Sequence, residues 1–146
     1  LTAHTSCVIA LKYIPSGNLL ASGSADYTIK IWDLEKGREF TKLGEVIKNF
    51  TGHMNDVLCF ACTTNGLTLI SGSADRTIKI WSLSKKYSSA SLKTLTGSFT
   101  DYVGHTDFVW TILLLPDDVT LFSAGLDKAI RMWEIFSGQL LRVLPN

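Results

Sequence analysis

The chain has 146 residues, of which 46% are hydrophobic and 18% are charged, and its formal net charge is +1. This composition is typical of a globular protein and gives no electrostatic reason to expect binding to nucleic acid or to a membrane. No apolar stretch is long enough to cross a bilayer, and the first residues lack the basic-then-apolar pattern of a signal peptide. The odd number of cysteines, three, favours a reducing compartment, so we expect an intracellular protein of the cytoplasm or nucleus.

Short β-rich runs separated by turns fill the first third of the chain. Residues 8–13 precede a turn at 15–18, and an apolar run at 19–22 precedes a second turn at 23–26. Residues 28–32 then alternate between apolar and polar side chains, and a fourth run follows at 39–43. Runs of this length between Gly, Asn, Asp and Ser turns, with no helical period, predict antiparallel strands joined in hairpins.

The same pattern recurs twice more along the chain. In each copy a tryptophan lies 28 residues, an aspartate 22 residues and a serine 18 residues after a histidine. An internal repeat of this kind is the sequence feature that most strongly indicates the fold. Fourth strands are predicted at 92–95 and 139–144, and the apolar run 110–115 is predicted to be an inner strand buried on both faces. The repeated sets are His4, Ser22, Asp26 and Trp32; His53, Ser71, Asp75 and Trp81; and His105, Ser123, Asp127 and Trp133.

At these positions the chain resembles the WD40 repeat family over nearly its whole length. The resemblance rests on the Gly52-His53 and Gly104-His105 dipeptides, the Ser-x-x-x-Asp turns and the Trp32-Asp33 pair. Local departures are Ala3 before the first histidine, and Ser82 and Glu134 after the second and third tryptophans.

The resemblance implies an all-β fold, a portion of a β-propeller with three blades of four antiparallel strands each. We divide the chain into a first blade at residues 1–50 and a second at 51–102, each with an extended connection, and a third at 103–146. Three blades do not close a ring, because propellers have roughly four to eight. We therefore expect this incomplete ring to belong to a larger propeller, completed by further blades of a longer chain or by a second copy.

The recurring Ser, His and Asp suggest either a hydrolase or a structural network. An active site occurs once, whereas this set occurs three times, always with a tryptophan, and no nucleophile-elbow glycines surround the serines. In the family that the chain resembles, the four side chains form a hydrogen-bonded chain from the indole N–H through Ser and His to Asp. Such a network satisfies a buried indole donor. The resemblance thus implies that the three sets hold the blades together and that the protein is not an enzyme.

Cys59 and Cys62 form a C-x-x-C sequence, which raises the question of a metal or redox site. Positions three apart on a strand point to opposite faces of the sheet, so the two thiols cannot bind one metal ion there. We therefore expect neither a metal nor a cofactor, and no catalytic residue.

The distances between copies suggest long connections between the blades. The histidines lie 49 and then 52 residues apart, compared with roughly 40–45 for this repeat. We take Leu1, Leu43 and Leu95 as equivalent positions of the three copies. Residues 44–52 and 97–104 are then predicted to be long connections between blades, both on the upper face of the propeller. Residues 85–90 are predicted to form a loop on the lower face. These are either neutral insertions or recognition loops.

The upper face is where propellers of this family commonly bind partners. The positions that line it lie three and five residues after each histidine and one residue before the turn aspartate. In the third copy these are Phe108, Trp110 and Leu126, which together form a candidate anchor for a partner protein. The alternative is that Trp110 fills the central channel or a gap beneath a loop. The other copies place Asp56, Leu58 and Ala74, and Cys7, Ile9 and Ala25, at these positions.

We therefore interpret the chain as a non-catalytic scaffold that binds other proteins. The alternative function is a substrate-recruiting or regulatory subunit of an enzyme complex, such as a ubiquitin-ligase adaptor, whose activity lies on other chains. Fold class alone does not identify the partner.

Overall fold

The computed structural model describes residues 4–35, 45–84, 91–96 and 104–144. These residues form strands and turns without a helix, which confirms the all-β prediction. The strands are β1 (Val8–Ile14), β2 (Leu19–Ser24), β3 (Ile29–Asp33), β4 (Glu45–Phe50), β5 (Val57–Cys62), β6 (Thr68–Ser73), β7 (Ile78–Ser82), β8 (Lys93–Leu95), β9 (Val109–Leu114), β10 (Thr120–Gly125), β11 (Ile130–Glu134) and β12 (Leu140–Leu144).

The strands form three antiparallel sheets of four, each with its strands in chain order. The sheets are the three predicted blades: β1–β4, β5–β8 and β9–β12. Contacts join β1 to β5 and β5 to β9, so the first strands of successive blades lie side by side. The described strands do not close a ring. Because the strands alternate in direction, the turns after the second strands lie at one end, the upper end, together with the segments that precede the first strands.

Two hydrophobic clusters join the blades. The first lies between blades one and two, where the side chains of Phe50 and Trp81 pack with ring centroids 5.0 Å apart. The second lies between blades two and three and contains Trp133. Burial of apolar side chains from two facing sheets is the main favourable contribution to this packing. The first cluster comprises Ile14, Ala21, Ile29, Ile31, Phe50, Val57, Leu69 and Trp81.

The fourth strand of the first blade was predicted at residues 39–43, and the structure corrects this prediction. The strand that pairs with β3 is Glu45–Phe50, with Ile29 opposite Phe50, while residues 39–43 lie outside the described part of the chain. In the other blades, Leu95 lies opposite Ile78 and Leu144 opposite Ile130. Phe50, not Leu43, is therefore the equivalent of Leu95, and packing decides this because the Phe50 side chain is completely buried.

The predicted upper connection at 44–52 is consequently wrong. It contains β4, and Phe50 lies three residues before His53, just as Leu1 lies three residues before His4. The additional residues that lengthen the first copy lie between β3 and β4 instead. Residues 85–90 and 97–103, predicted to be a lower loop and an upper connection, lie outside the described residues.

The prediction that the inner strand of the third blade is buried on both faces is also wrong. β9 buries Val109 and Ile112 against the second blade, but Thr111 and Leu113 on the other face are exposed. Their equivalents in β5 lie between two blades, whereas this face of β9 has no neighbouring blade among the described residues. The segment 110–115 is therefore largely apolar although only one of its faces is buried.

Candidate functional site

The four side chains of the set in the second blade lie within hydrogen-bonding distance of one another. The Trp81 indole N–H donates to Ser71 Oγ at 2.8 Å, and Ser71 Oγ lies 2.7 Å from His53 Nε2. On the other side of the ring, His53 Nδ1 lies 2.7 Å from Asp75 Oδ2. With Nδ1 protonated, the ring donates to the carboxylate and accepts the serine hydroxyl proton, so every polar group of the set has a partner.

The same arrangement occurs in the other two blades. In the first, the distances from Ser22 Oγ to the Trp32 indole nitrogen and to His4 Nε2 are 2.8 and 2.7 Å. In the third, the corresponding distances from Ser123 Oγ are also 2.8 and 2.7 Å. The structure thus brings together all twelve of the side chains that the spacing singled out, as three separate sets.

The turn aspartates are held by several donors besides the histidine. Asp75 accepts hydrogen bonds from the Met54 and Thr77 backbone amides, both at 2.9 Å, and from the Thr77 hydroxyl at 2.6 Å. Burial by itself raises the pKa of Asp75, but the hydrogen bonds and the attraction to His53 outweigh it and hold the pKa well below its usual value. The pKa of Asp26 is lowered in the same way, by bonds from Thr28, Thr5 and His4 that outweigh burial.

The third set is built differently, because Ala129 stands where the other copies have Thr28 and Thr77. The missing hydroxyl is replaced by the guanidinium of Arg131, whose Nη1 lies 2.6 Å from Asp127 Oδ2 and 2.9 Å from His105 Nδ1. Burial first, and then the nearby Arg131 charge, lower the pKa of His105 against the opposing effect of Asp127. Asp127 also has a lowered pKa, since its hydrogen bonds from His105 and from the Thr106 backbone outweigh burial.

These shifts predict a stability that falls in two steps on acidification. His105 has a lowered pKa in the folded state, so its contribution is complete above about pH 6.5, the unfolded value, and is lost below it. Asp26, Asp75 and Asp127 also have lowered values, so their contribution is present above about pH 4 and is lost as the pH falls further.

Urea denaturation between pH 7.5 and 2.5 measures both steps. His105→Gln should remove the step that begins below about pH 6.5, the unfolded value, and keep the step below about pH 4. A stability that is constant from pH 7.5 to 3 would contradict this account.

The upper ends of the inner strands carry a second repeated feature, a β-bulge. The pairing of β1 with β2 shifts between Val8 and Ala10, and the pairing of β5 with β6 shifts between Val57 and Cys59. In β9, Val109 pairs with Gly125 and Thr111 with Ala124. The extra residues of the three bulges are therefore Ile9, Leu58 and Trp110. A bulge redirects the side chain of its extra residue, and Trp110 is 59% exposed.

Phe108 and Leu126 lie together beside Trp110 at this end of the third blade. The Leu126 amide donates to the Phe108 carbonyl at 3.0 Å, and Leu126 is 54% exposed while Phe108 is half-buried. The same bond links Ala25 to Cys7 at 2.9 Å and Ala74 to Asp56 at 3.0 Å.

The candidate positions therefore have one geometry in all three blades. The first blade exposes Ile9 there, at 43%, but only the third blade exposes an aromatic side chain, Trp110, together with a second large apolar residue, Leu126. Asp56 and Leu58 in the second blade are half-buried. The exposure of Trp110 does not favour its alternative role as a filler of a channel or gap within the described part of the chain.

Two exposed apolar residues at the same end were not singled out from the sequence. Met54 is 85% exposed and directly follows His53, where the other copies have Thr5 and Thr106. Tyr27 is exposed in the turn after β2, with a φ of 68°. The signal for Met54 was present, since an apolar residue replaces threonine in an otherwise polar segment.

Cys59 and Cys62 pack on opposite faces of β5, against the second and the first cluster, respectively. Burial raises the pKa of the Cys59 thiol to about 12. Among residues 4–35, 45–84, 91–96 and 104–144, no group of three or more His, Cys, Asp or Glu is arranged to hold a metal ion. None of these segments forms a helix that is long and apolar enough to span a membrane.

Comparison with known proteins places this architecture in a family. The family model described as "WD domain, G-beta repeat" matches residues 1–33, 44–82 and 91–134, one match for each blade. The nuclear distribution protein nudF of Emericella nidulans is 35% identical over 147 residues, covering 100% of this chain and 30% of its own length. Nuclear distribution protein nudF 1 of Talaromyces marneffei is 32% identical over 146 residues, covering 100% of this chain and 29% of its own length.

A third relative is similar over a shorter segment. Protein Mut11 of Chlamydomonas reinhardtii is 54% identical over 37 residues, which cover 25% of this chain and 10% of its own length. The chain spans about 30% of the length of the nudF relatives. The family matches and the three blades agree, so the chain belongs to the WD40 repeat family.

Proposed function

We propose that the chain is a non-catalytic protein-interaction scaffold and that the upper end of its third blade contacts a partner protein. The observation that supports this most strongly is the exposure of Trp110 and Leu126 beside Phe108 at the upper end of one blade. A few residues carry most of the binding energy of a protein interface, and tryptophan is one of the residue types enriched among them. Membership of the WD40 repeat family supports the same function.

A non-catalytic role is supported by the surroundings of the serines. Ser71 is completely buried, and Ser22 and Ser123 are nearly so. Each Oγ already accepts an indole N–H while its own proton is directed to histidine. A nucleophile needs access to its substrate, and these hydroxyls have none. We propose that the three sets join the inner, second and third strands of each blade and keep its upper turn in place.

The bound partner is proposed to be a protein rather than a nucleic acid, a membrane or a small cofactor. The large exposed side chains at the candidate positions of the third blade, Trp110 and Leu126, are apolar, and the net charge of the chain is close to zero. The free thiols Cys7, Cys59 and Cys62 fit a reducing, intracellular compartment.

Photo-crosslinking from matched positions tests the proposed surface. A photoreactive amino acid replaces Leu126 at the upper end or, in a second variant, Leu67 in the turn between β5 and β6 at the lower end. These two leucines have nearly equal exposure, 54% and 56%. We expect the same partner protein to be crosslinked repeatedly from position 126 and not from position 67, and the crosslink to be lost when purified unlabelled chain competes.

Crosslinking of that partner from position 67 with equal or greater yield would place the contact at the lower end and overturn the assignment. A crosslink from position 126 that purified chain does not displace would indicate non-specific contact with an exposed apolar residue.

A further inference from the structure

The outer strands of the first two blades each carry a lysine that reaches the next blade. Lys48 in β4 donates through Nζ to the backbone carbonyls of Ser82 and Ser84, at 2.9 and 3.1 Å. Lys93 in β8 donates to the backbone carbonyl of Phe136 at 2.6 Å. All three bonds cross from one sheet to the following sheet, at the lower end where the third strand of that sheet finishes.

Lys48 and Lys93 occupy equivalent positions in their blades. Lys48 lies opposite Ile31 in β3, and Lys93 lies opposite Ile80 in β7, so each lysine pairs with the residue before the tryptophan of its own blade. In the third blade the same place, opposite Met132, is occupied by Arg142. A basic side chain therefore stands at this position in all three blades, although the outer strands are otherwise the least similar of the four.

The acceptors are equivalent as well. Ser84 and Phe136 each lie three residues after a tryptophan, Trp81 and Trp133. A backbone carbonyl is present whatever the side chain, which explains why serine and phenylalanine serve equally at this position. Hydrogen bonds from a charged donor are shorter and stronger than those between neutral groups.

The surroundings of the lysines fit this use. Lys48 is half-buried, lies 5.1 Å from the centroid of the Phe50 ring, and has its pKa lowered by burial. Next to Lys93 stands Gly138, where an added Cβ would lie 2.8 Å from Lys93 Cδ. The glycine therefore leaves the space that the lysine stem occupies on its way to the Phe136 carbonyl.

We infer that Lys48 and Lys93 are positioning residues that form a repeated bridge between blades. In this bridge a basic side chain of one outer strand fixes the turn that follows the third strand of the next blade. The hydrophobic clusters hold neighbouring sheets face to face, while the bridge sets the position of that turn at the lower rim.

Hydrogen exchange of backbone amides in the full chain tests the bridge across the blade boundary. Lys93→Met should speed the exchange of the Glu134 and Gly138 amides about tenfold, because a charge-assisted bond to their turn is lost. Both amides are bonded within that turn, to Gln139 and Glu134. The Ser123 amide in the middle strand of the same blade is the internal reference for global unfolding, and Lys93→Arg should restore slow exchange.

Lys79→Met is the matched control, because Lys79 donates to Thr94 within its own blade at 2.9 Å. It should leave the Glu134 and Gly138 amides at the wild-type rate. Equal exchange in wild type and Lys93→Met, or an equal effect of Lys79→Met, would overturn the inference. If Lys93→Met does not fold, Lys48→Met provides the same test, with the Leu83 amide, bonded to Leu67 at 2.8 Å, as the reporter.

Discussion

Replacing Trp81 with Phe should lower the free energy of unfolding by about 1–3 kcal/mol, because it removes a donor from a buried hydrogen-bond network. The indole N–H is the group that donates to Ser71 Oγ, and both residues are completely buried. Water cannot replace the lost donor at such a site. Trp81→Ala should cost more, about 3–5 kcal/mol, since it also empties the space beside Phe50.

Trp32→Phe is the matched control. It breaks the same bond, of the same length, in the first blade, but Trp32 is only half-buried whereas Trp81 is completely buried, so the substitution removes less buried side chain. We expect the loss at position 32 to be clearly smaller than the loss at position 81, as measured by urea denaturation. Equal losses would show that burial does not set the contribution of the network. A hydrolytic activity that Ser71→Ala abolishes, with melting unchanged, would falsify the structural role.

The inner three strands of each blade could be predicted because their landmarks are local. The Ser-x-x-x-Asp turn and the tryptophan ten residues after the serine fix the second and third strands relative to one another. The histidine precedes the first strand by a constant distance. Equal spacing in three copies therefore predicted which side chains would meet.

The fourth strand of the first blade could not be placed this way. Leu43 and Phe50 are both apolar residues that precede a histidine, and the number of residues between the third and fourth strands differs among the copies. The pairing of Phe50 with Ile29 and the contact between Phe50 and Trp81 distinguish them. That contact joins two blades and has no local signature.

The sequence alone also could not predict that Arg131 compensates for Ala129 in the third blade. Each differs from the first two copies, where threonine and lysine occupy these positions. Their relation appears only in three dimensions, where the guanidinium takes over the bond to Asp127 that a threonine hydroxyl makes elsewhere. The bulge at Trp110 could not be predicted either, because a bulge does not change the apolar pattern of its strand.

Trp110→Ala should weaken binding of the partner protein at least about thirtyfold while lowering thermal stability only modestly. Truncating a true interface anchor costs roughly 2 kcal/mol or more of binding free energy, whereas a residue at the rim costs little. Trp110 can act as an anchor because it is 59% exposed at the upper end of β9. For the same reason its removal leaves no cavity in the clusters between the blades.

The dissociation constant of the crosslinked partner, measured for wild type, Trp110→Ala and Leu67→Ala, tests the central claim most directly. Leu67 is the control, because it has a similar exposure, 56%, but lies in the turn between β5 and β6 at the lower end. We predict a loss of about thirtyfold for Trp110→Ala and less than about threefold for Leu67→Ala. Unchanged affinity for Trp110→Ala, or a sharp fall in melting temperature with normal binding by the protein that remains folded, would contradict the account.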